Sequence, residues 1–231
     1  MTDAFIEIPG VRNFRDAGGI GALRRGVLYR SGSLHTLTEE GARKLKDLGL
    51  RTVIDLRSRE ELDVWPDQRH GLDHESLHLP TLPADRDDLD RPWPEDQADL
   101  YTFMPEYAGP SLAAVVRRLA APEALPVVVH CAVGKDRTGL TVAVLQSLLG
   151  ASDADLTADF LRSNTGLGLD DGPTPYVDET GTERVSRPID AALIASSLAW
   201  IRAHHGDIPG YLRSHGVTDP ELAALRANLS A

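Results

Sequence analysis

The chain has 231 residues, 42% hydrophobic and 26% charged, which suits one well-buried soluble domain. Its net charge of −11 disfavours a general affinity for nucleic acid or anionic membranes, both of which require an excess of Lys and Arg. No apolar run approaches the roughly 18 residues of a membrane span, and MTDAFIEIPG lacks the basic-then-apolar pattern of a cleavable signal.

In chain order, strand-like runs fall at 27–30 (VLYR), 52–56 (TVIDL), 75–79 (ESLHL) and 126–130 (PVVVH). The segments between them open like helices: Thr36 with Glu39, and Ser58 with Glu61, both fit a capping box. Alternating strands and helices predict an α/β fold with a central, largely parallel sheet flanked by helices. Beyond Cys131 the pattern is helical. Residues 137–149 are apolar nearly all round and stop at Gly150, 152–164 form a second helix, and 188–204 a third. A last helix starts near Pro220, with Thr218 and Glu221 as its capping box. The polar, Gly- and Pro-rich stretch 166–187 reads as a loop or mobile lid. The expectation is a single domain over 1–231 with a helical C-terminal half.

Cys131 is the sole cysteine, which excludes an internal disulfide and a multi-cysteine metal site and fits a reducing, cytoplasmic setting. Its neighbours give it a chemical role. Ala132, Val133, Gly134, Lys135, Asp136 and Arg137 link a buried strand to a buried helix. Such a loop can turn its N–H groups inward as an anion nest at the helix N-terminus, a field that also favours thiolate. Gly134 permits backbone geometry that a side chain penalises. Arg137 grips two phosphate oxygens at once, and Thr138 can donate to the sulfur. Gly139 lets the helix start close to neighbouring backbone. His130, adjacent along a strand, points to the opposite face and suits a structural bond to the loop. Lys135 is one of only three lysines against 21 arginines, and is expected to meet the phosphate or a second anionic group.

The loop HCAVGKDRTG, with NFRDAGG (13–19), YRSGSL (29–34), DLRSREE (55–61) and ADFLRSN (158–164), resembles the protein tyrosine phosphatase superfamily. More narrowly it is similar to the bacterial tyrosine phosphatases with HCxxGKDR loops, mycobacterial members included, over residues 9–229. That resemblance implies phosphotyrosine hydrolysis, with phosphoserine, phosphothreonine and phosphoinositides as further substrates. It also implies Asp136 as general acid. Asp85, in the acidic loop after the third strand, is the alternative at the correct sheet edge. Trp65-Pro66-Asp67 spells another acid loop but, following a helix, is expected at the opposite edge. Asn13, Arg15, Asp16, Arg30 and Arg57 are expected mainly in internal ion pairs. His70, His74 and His78 do not form a metal site, because Gly71 breaks their helical spacing, and no cofactor is expected. The rival readings are a non-catalytic phosphate-binding module of this fold and a sulfurtransferase.

Overall fold

The computed structural model describes residues 5–83 and 89–230, and each of the four expected runs forms a strand within them. With a two-residue strand too short to leave a sequence signal, they are β1 (Arg15–Asp16), β2 (Leu28–Ser31), β3 (Thr52–Asp55), β4 (Glu75–His78) and β5 (Val127–His130). Their order is β1-β2-β5-β3-β4, antiparallel for β1 with β2 and parallel elsewhere. Strand alternation divides the side chains between two cores. Leu28, Ile54, Val127 and Val129 enter the larger one, and Tyr29, Val53 and Val128 the smaller. Both faces are therefore apolar, which is why the strands read as continuous hydrophobic runs.

Helix α1 (Glu39–Asp47) covers the smaller core through Ala42 and Leu45, and α2 (Arg59–Val64) follows β3. The larger core lies under α3 (Gln97–Tyr107), α4 (Gly109–Leu119), α5 (Asp136–Leu148), α6 (Asp153–Leu167), α7 (Ala191–His205), α8 (Ile208–Ser214) and α9 (Asp219–Leu229). Among the described residues no helix is long and apolar enough to cross a membrane.

Three details differ from expectation. The cap of α1 is Thr38, whose side chain accepts from Gly41 N, whereas Thr36 donates to Gly10 O. Helices α3 and α4 are additions; Pro105 stands inside α3, where a sequence reading finds a breaker. The stretch 166–187 carries a hairpin of β6 (Thr174–Val177) and β7 (Glu183–Ser186), hidden from sequence by its Pro and Gly content.

Candidate active site

The last residue of β5, His130, is paired in register with the last residues of β2 and β3, Ser31 and Asp55. Three carboxyl ends thus converge where the chain leaves the sheet as Cys131–Lys135 and enters α5. The loop is shaped from outside. Ser33 N donates to Ala132 O at 3.0 Å, and Asn13 Nδ2 to Val133 O at 3.3 Å and Gly134 O at 3.0 Å. Arg30 Nη2 also donates to Gly134 O, at 3.1 Å. Because a peptide's C=O and the next N–H point in opposite directions, holding these carbonyls outward turns the N–H groups of Val133, Gly134 and Lys135 into the cup. Gly134 has φ +72°, and a Cβ there would lie 2.2 Å from Ser31 O. Gly139 makes room for something other than backbone: a Cβ would meet the Phe160 ring at 2.9 Å.

Behind the loop, Arg30 Nη1 bonds Asp159 Oδ2 at 2.7 Å and Arg15 Nε bonds Asp159 Oδ1 at 3.3 Å. Arg15 also bonds Asn13 Oδ1 at 2.5 Å and Ser163 Oγ at 3.0 Å. Two guanidiniums against one carboxylate leave net positive charge buried behind the loop. Burial and the neighbouring Arg30 push Arg15 down to about 9. Burial opposes the Asp159 charge, but Arg30 and Arg15 hold this carboxyl below its ordinary value.

Cys131 is 1% exposed. Burial alone raises a thiol pKa, yet Arg137 and then the hydroxyl and N–H of Thr138 outweigh it, so the thiolate is favoured. The Thr138 hydroxyl is buried and has no other partner among the described residues, which leaves it for the sulfur. The Arg137 fork is held by Glu61: Nη1 to Oε2 at 2.5 Å and Nη2 to Oε1 at 2.8 Å. The same Oε2 accepts from Ser58 N at 2.9 Å, so the capping box of α2 also holds the Arg137 fork. Burial disfavours the Glu61 carboxylate, but Arg137 more than compensates and its pKa is lowered.

Glu61 and Arg137 face a cavity of about 980 Å³ lined also by Ala132, Val133, Lys135 and Asp136 together with Arg57, Trp65 and Tyr176. A family model described as the tyrosine phosphatase family matches residues 6–231. The chain belongs to the tyrosine phosphatase family. This phosphatase is 31% identical to the triple specificity protein phosphatase PtpB of Mycobacterium tuberculosis, over 96% of this chain and 98% of that one. It is 27% identical to a tyrosine-protein phosphatase of Nostoc commune, over 90% of this chain and 76% of that one. Among solved structures it is similar to P. aeruginosa TpbA, with 21% identity, TM-score 0.44, and 85% and 91% of the chains covered.

In the phosphatase, Asp136 lines the cavity, and its Oδ1 accepts from the Tyr101 hydroxyl at 2.6 Å. Asp85 lies outside the described residues. Asp96, from the same acidic stretch, caps α3 by accepting from Asp99 N. Lys135 is 4% exposed and turns toward the hairpin, donating to Arg187 O at 2.8 Å, with Ser186 Oγ at 3.5 Å.

Asp67 corrects the sequence reading. Helix α2 is only six residues long, too short to carry the chain back across the sheet, so Trp65-Pro66-Asp67 stays at the carboxyl edge. There Asp67 accepts from Leu34 N and from Arg57 Nη2, both at 2.9 Å. Its Oδ2 lies 3.0 Å from His130 Nε2, off the hydrogen-bonding axis. His130 Nδ1 is 3.3 Å from Cys131 O. Burial opposes charging His130, but Asp67 and Asp55 outweigh it and raise its pKa. Asp55, Asp67 and His130 are the one group among the described residues close enough to ring a cation. Arg57 already spans both carboxylates, at 2.7 Å from Asp55 Oδ2 and 2.9 Å from Asp67 Oδ1, and supplies the positive charge itself.

Sequence reasoning missed Glu61 as the holder of Arg137, Tyr101, and the true edge of Asp67. Glu61 was legible only as a helix cap, and nothing around Tyr101 marks it.

Proposed function

We propose that the chain acts as one cysteine-dependent phosphatase domain that hydrolyses phosphate monoesters through a phosphocysteine intermediate. The observation that carries this reading is the succession, along one loop, of a thiolate-favouring Cys131, carbonyls held outward at Ala132, Val133 and Gly134, and an Arg137 fork fixed by Glu61 that opens on the cavity. Cys131 Sγ attacks phosphorus in line with the leaving oxygen, which takes a proton from Asp136. Arg137, the loop amides of Ala132 to Lys135 and Thr138 stabilise the equatorial oxygens and the sulfur. Water then cleaves the S–P bond, with the ionised Asp136 as base, and no step calls for a metal.

Phosphotyrosine is the primary substrate in this reading. The name of the mycobacterial relative, a triple specificity protein phosphatase, supports a range wider than one ester class; phosphoserine, phosphothreonine and phosphoinositide esters are the further substrates in this reading. A single reactive cysteine that must stay reduced supports a cytoplasmic location. The test is phosphate release from phosphotyrosine and phosphoserine peptides and from phosphoinositides with EDTA present. Wild type is expected to release phosphate and Cys131→Ser to release none. Full activity in Cys131→Ser sinks the mechanism, and folded wild type that binds but never hydrolyses is the phosphate-binding module instead.

A further inference from the structure

We propose that Tyr101 is a positioning residue for the general acid: its hydroxyl fixes one oxygen of Asp136 so that the other faces the leaving group. The inference rests on the reading of Asp136 as the acid. A buried tyrosine hydroxyl needs a polar partner. Tyr101 is fully buried on α3, its ring edge-on to Phe160 at 5.7 Å and its carbonyl accepting from Ser197 Oγ. Its hydroxyl donates across to Asp136 Oδ1 at 2.6 Å. The remaining oxygen, Oδ2, has Lys135 Nζ at 3.9 Å, too long for a hydrogen bond, and the Asp136 side chain is 23% exposed at the cavity. One carboxyl oxygen is therefore fixed from the protein side and the other is left for the substrate.

Burial, and then the neighbouring Asp136 charge, raise the Tyr101 pKa well above its ordinary value. Tyr101 therefore keeps its proton and serves only as a donor. In the first step the S–P bond forms, the bond from phosphorus to the leaving oxygen breaks, and the Oδ2 proton passes to that oxygen. Charge develops on the Asp136 carboxyl as the proton departs, and the Tyr101 hydroxyl meets it at Oδ1, an interaction stronger in the transition state than before it. In the second step water adds to phosphorus, its proton goes to Oδ2, and the S–P bond breaks to return the Cys131 thiolate. Tyr101 gains and loses no proton in either step.

Leaving groups separate this role from a structural one, because a weakly basic leaving oxygen needs little protonation and a strongly basic one needs much. The experiment compares kcat/KM on para-nitrophenyl phosphate with that on phenyl phosphate for wild type, Tyr101→Phe, Asp136→Asn and the double variant. Melting transitions verify folding. Tyr101→Phe is expected to lose about tenfold or more on phenyl phosphate and no more than about threefold on para-nitrophenyl phosphate. Asp136→Asn should show the same split more strongly, and adding Tyr101→Phe to it should change neither rate. If Asp136→Asn shows the split but Tyr101→Phe loses both substrates equally, or neither, the Tyr101 role is overturned alone. If Asp136→Asn shows no split, the acid assignment falls and the Tyr101 role with it. Should Tyr101→Phe not fold, Tyr101→Met, which also keeps apolar bulk without the hydroxyl, carries the same comparison.

Discussion

Behind the loop from Cys131 to Arg137, Arg15, Arg30 and Asp159 are 0%, 1% and 2% exposed; on the hairpin at the cavity's mouth, Tyr176, Val177 and Val185 are 46%, 54% and 52% exposed. The rear wall is charge locked into charge, and it reaches the loop through Arg30 at Gly134 O and through Arg15 at Asn13, which holds the carbonyls of Val133 and Gly134. The hairpin returns to the body through Lys135 at Arg187 O and through Asn164, whose side chain accepts from Ile189 N and donates to Ile189 O. The difference separates two tasks. A transition state requires donors that do not move, because reorganising dipoles during reaction forfeits the stabilisation they offer. Substrate entry requires a wall with little burial to lose on moving, and the hairpin has that character.

The comparison breaks most severely at its rear. Asp159→Asn leaves Arg30 and Arg15 buried without a countercharge, and removing one partner of such a cluster costs about 3–5 kcal/mol. We expect a large fall in melting temperature and a loss of turnover at temperatures where the variant stays folded. An unchanged melting transition would show that the cluster contributes nothing to the loop's frame.

Next in size is Glu61→Gln. It keeps the shape of the α2 cap but releases the Arg137 fork, so kcat/KM should drop on the order of a hundredfold, the usual effect of losing one aimed donor. Stability should change far less, which a melting curve beside the kinetics will show. The pH dependence has a defined sign. Glu61 and Asp159 both titrate below their ordinary values of 4.5 and 3.8 in the folded state. The stability they add is complete above those values and is lost as pH falls beneath them toward the folded pKa. Melting temperature should therefore decline steeply below about pH 4, and Glu61→Gln should flatten part of that decline. His130 has the opposite sign. Its raised pKa gives stability that is full below its ordinary 6.5 and is lost as pH rises through the folded value.

The smallest effect belongs to the mouth. Val177→Ser with Val185→Ser removes exposed apolar surface and should shift stability by about 0.5 kcal/mol or less. If the hairpin forms a wall of the peptide site, KM for a phosphotyrosine peptide should rise while KM for para-nitrophenyl phosphate stays put. An equal change for both substrates would mean that the hairpin does not discriminate between them.

Much of the fold was written locally. Four strand-like runs, the capping boxes at Ser58 and Thr218, and the largely apolar run ending at Gly150 are each short-range patterns, and each appears where expected. Helices α3 and α4 were not legible, because Pro105 reads locally as a stop and only packing on α7 and α8 shows it tolerated; its carbonyl accepts from Tyr211 Oη at 2.6 Å. The hairpin was missed because its sequence resembles a loop and its register is set by pairing.

The sequence alone determined the family and the proposal for its chemistry: Cys131, five residues, then Arg137 with Thr138 and a glycine at a strand-to-helix turn are the pattern of a nucleophile and an anion cradle, which depends on neighbours along the chain. Tertiary structure decided what aims them. Glu61 lies 76 residues before Arg137, Tyr101 35 before Asp136, and Asp159 129 after Arg30. Contacts over such separations leave no local period to read; they exist because the sheet brings its carboxyl ends together, and there a helix-cap glutamate becomes the partner of Arg137.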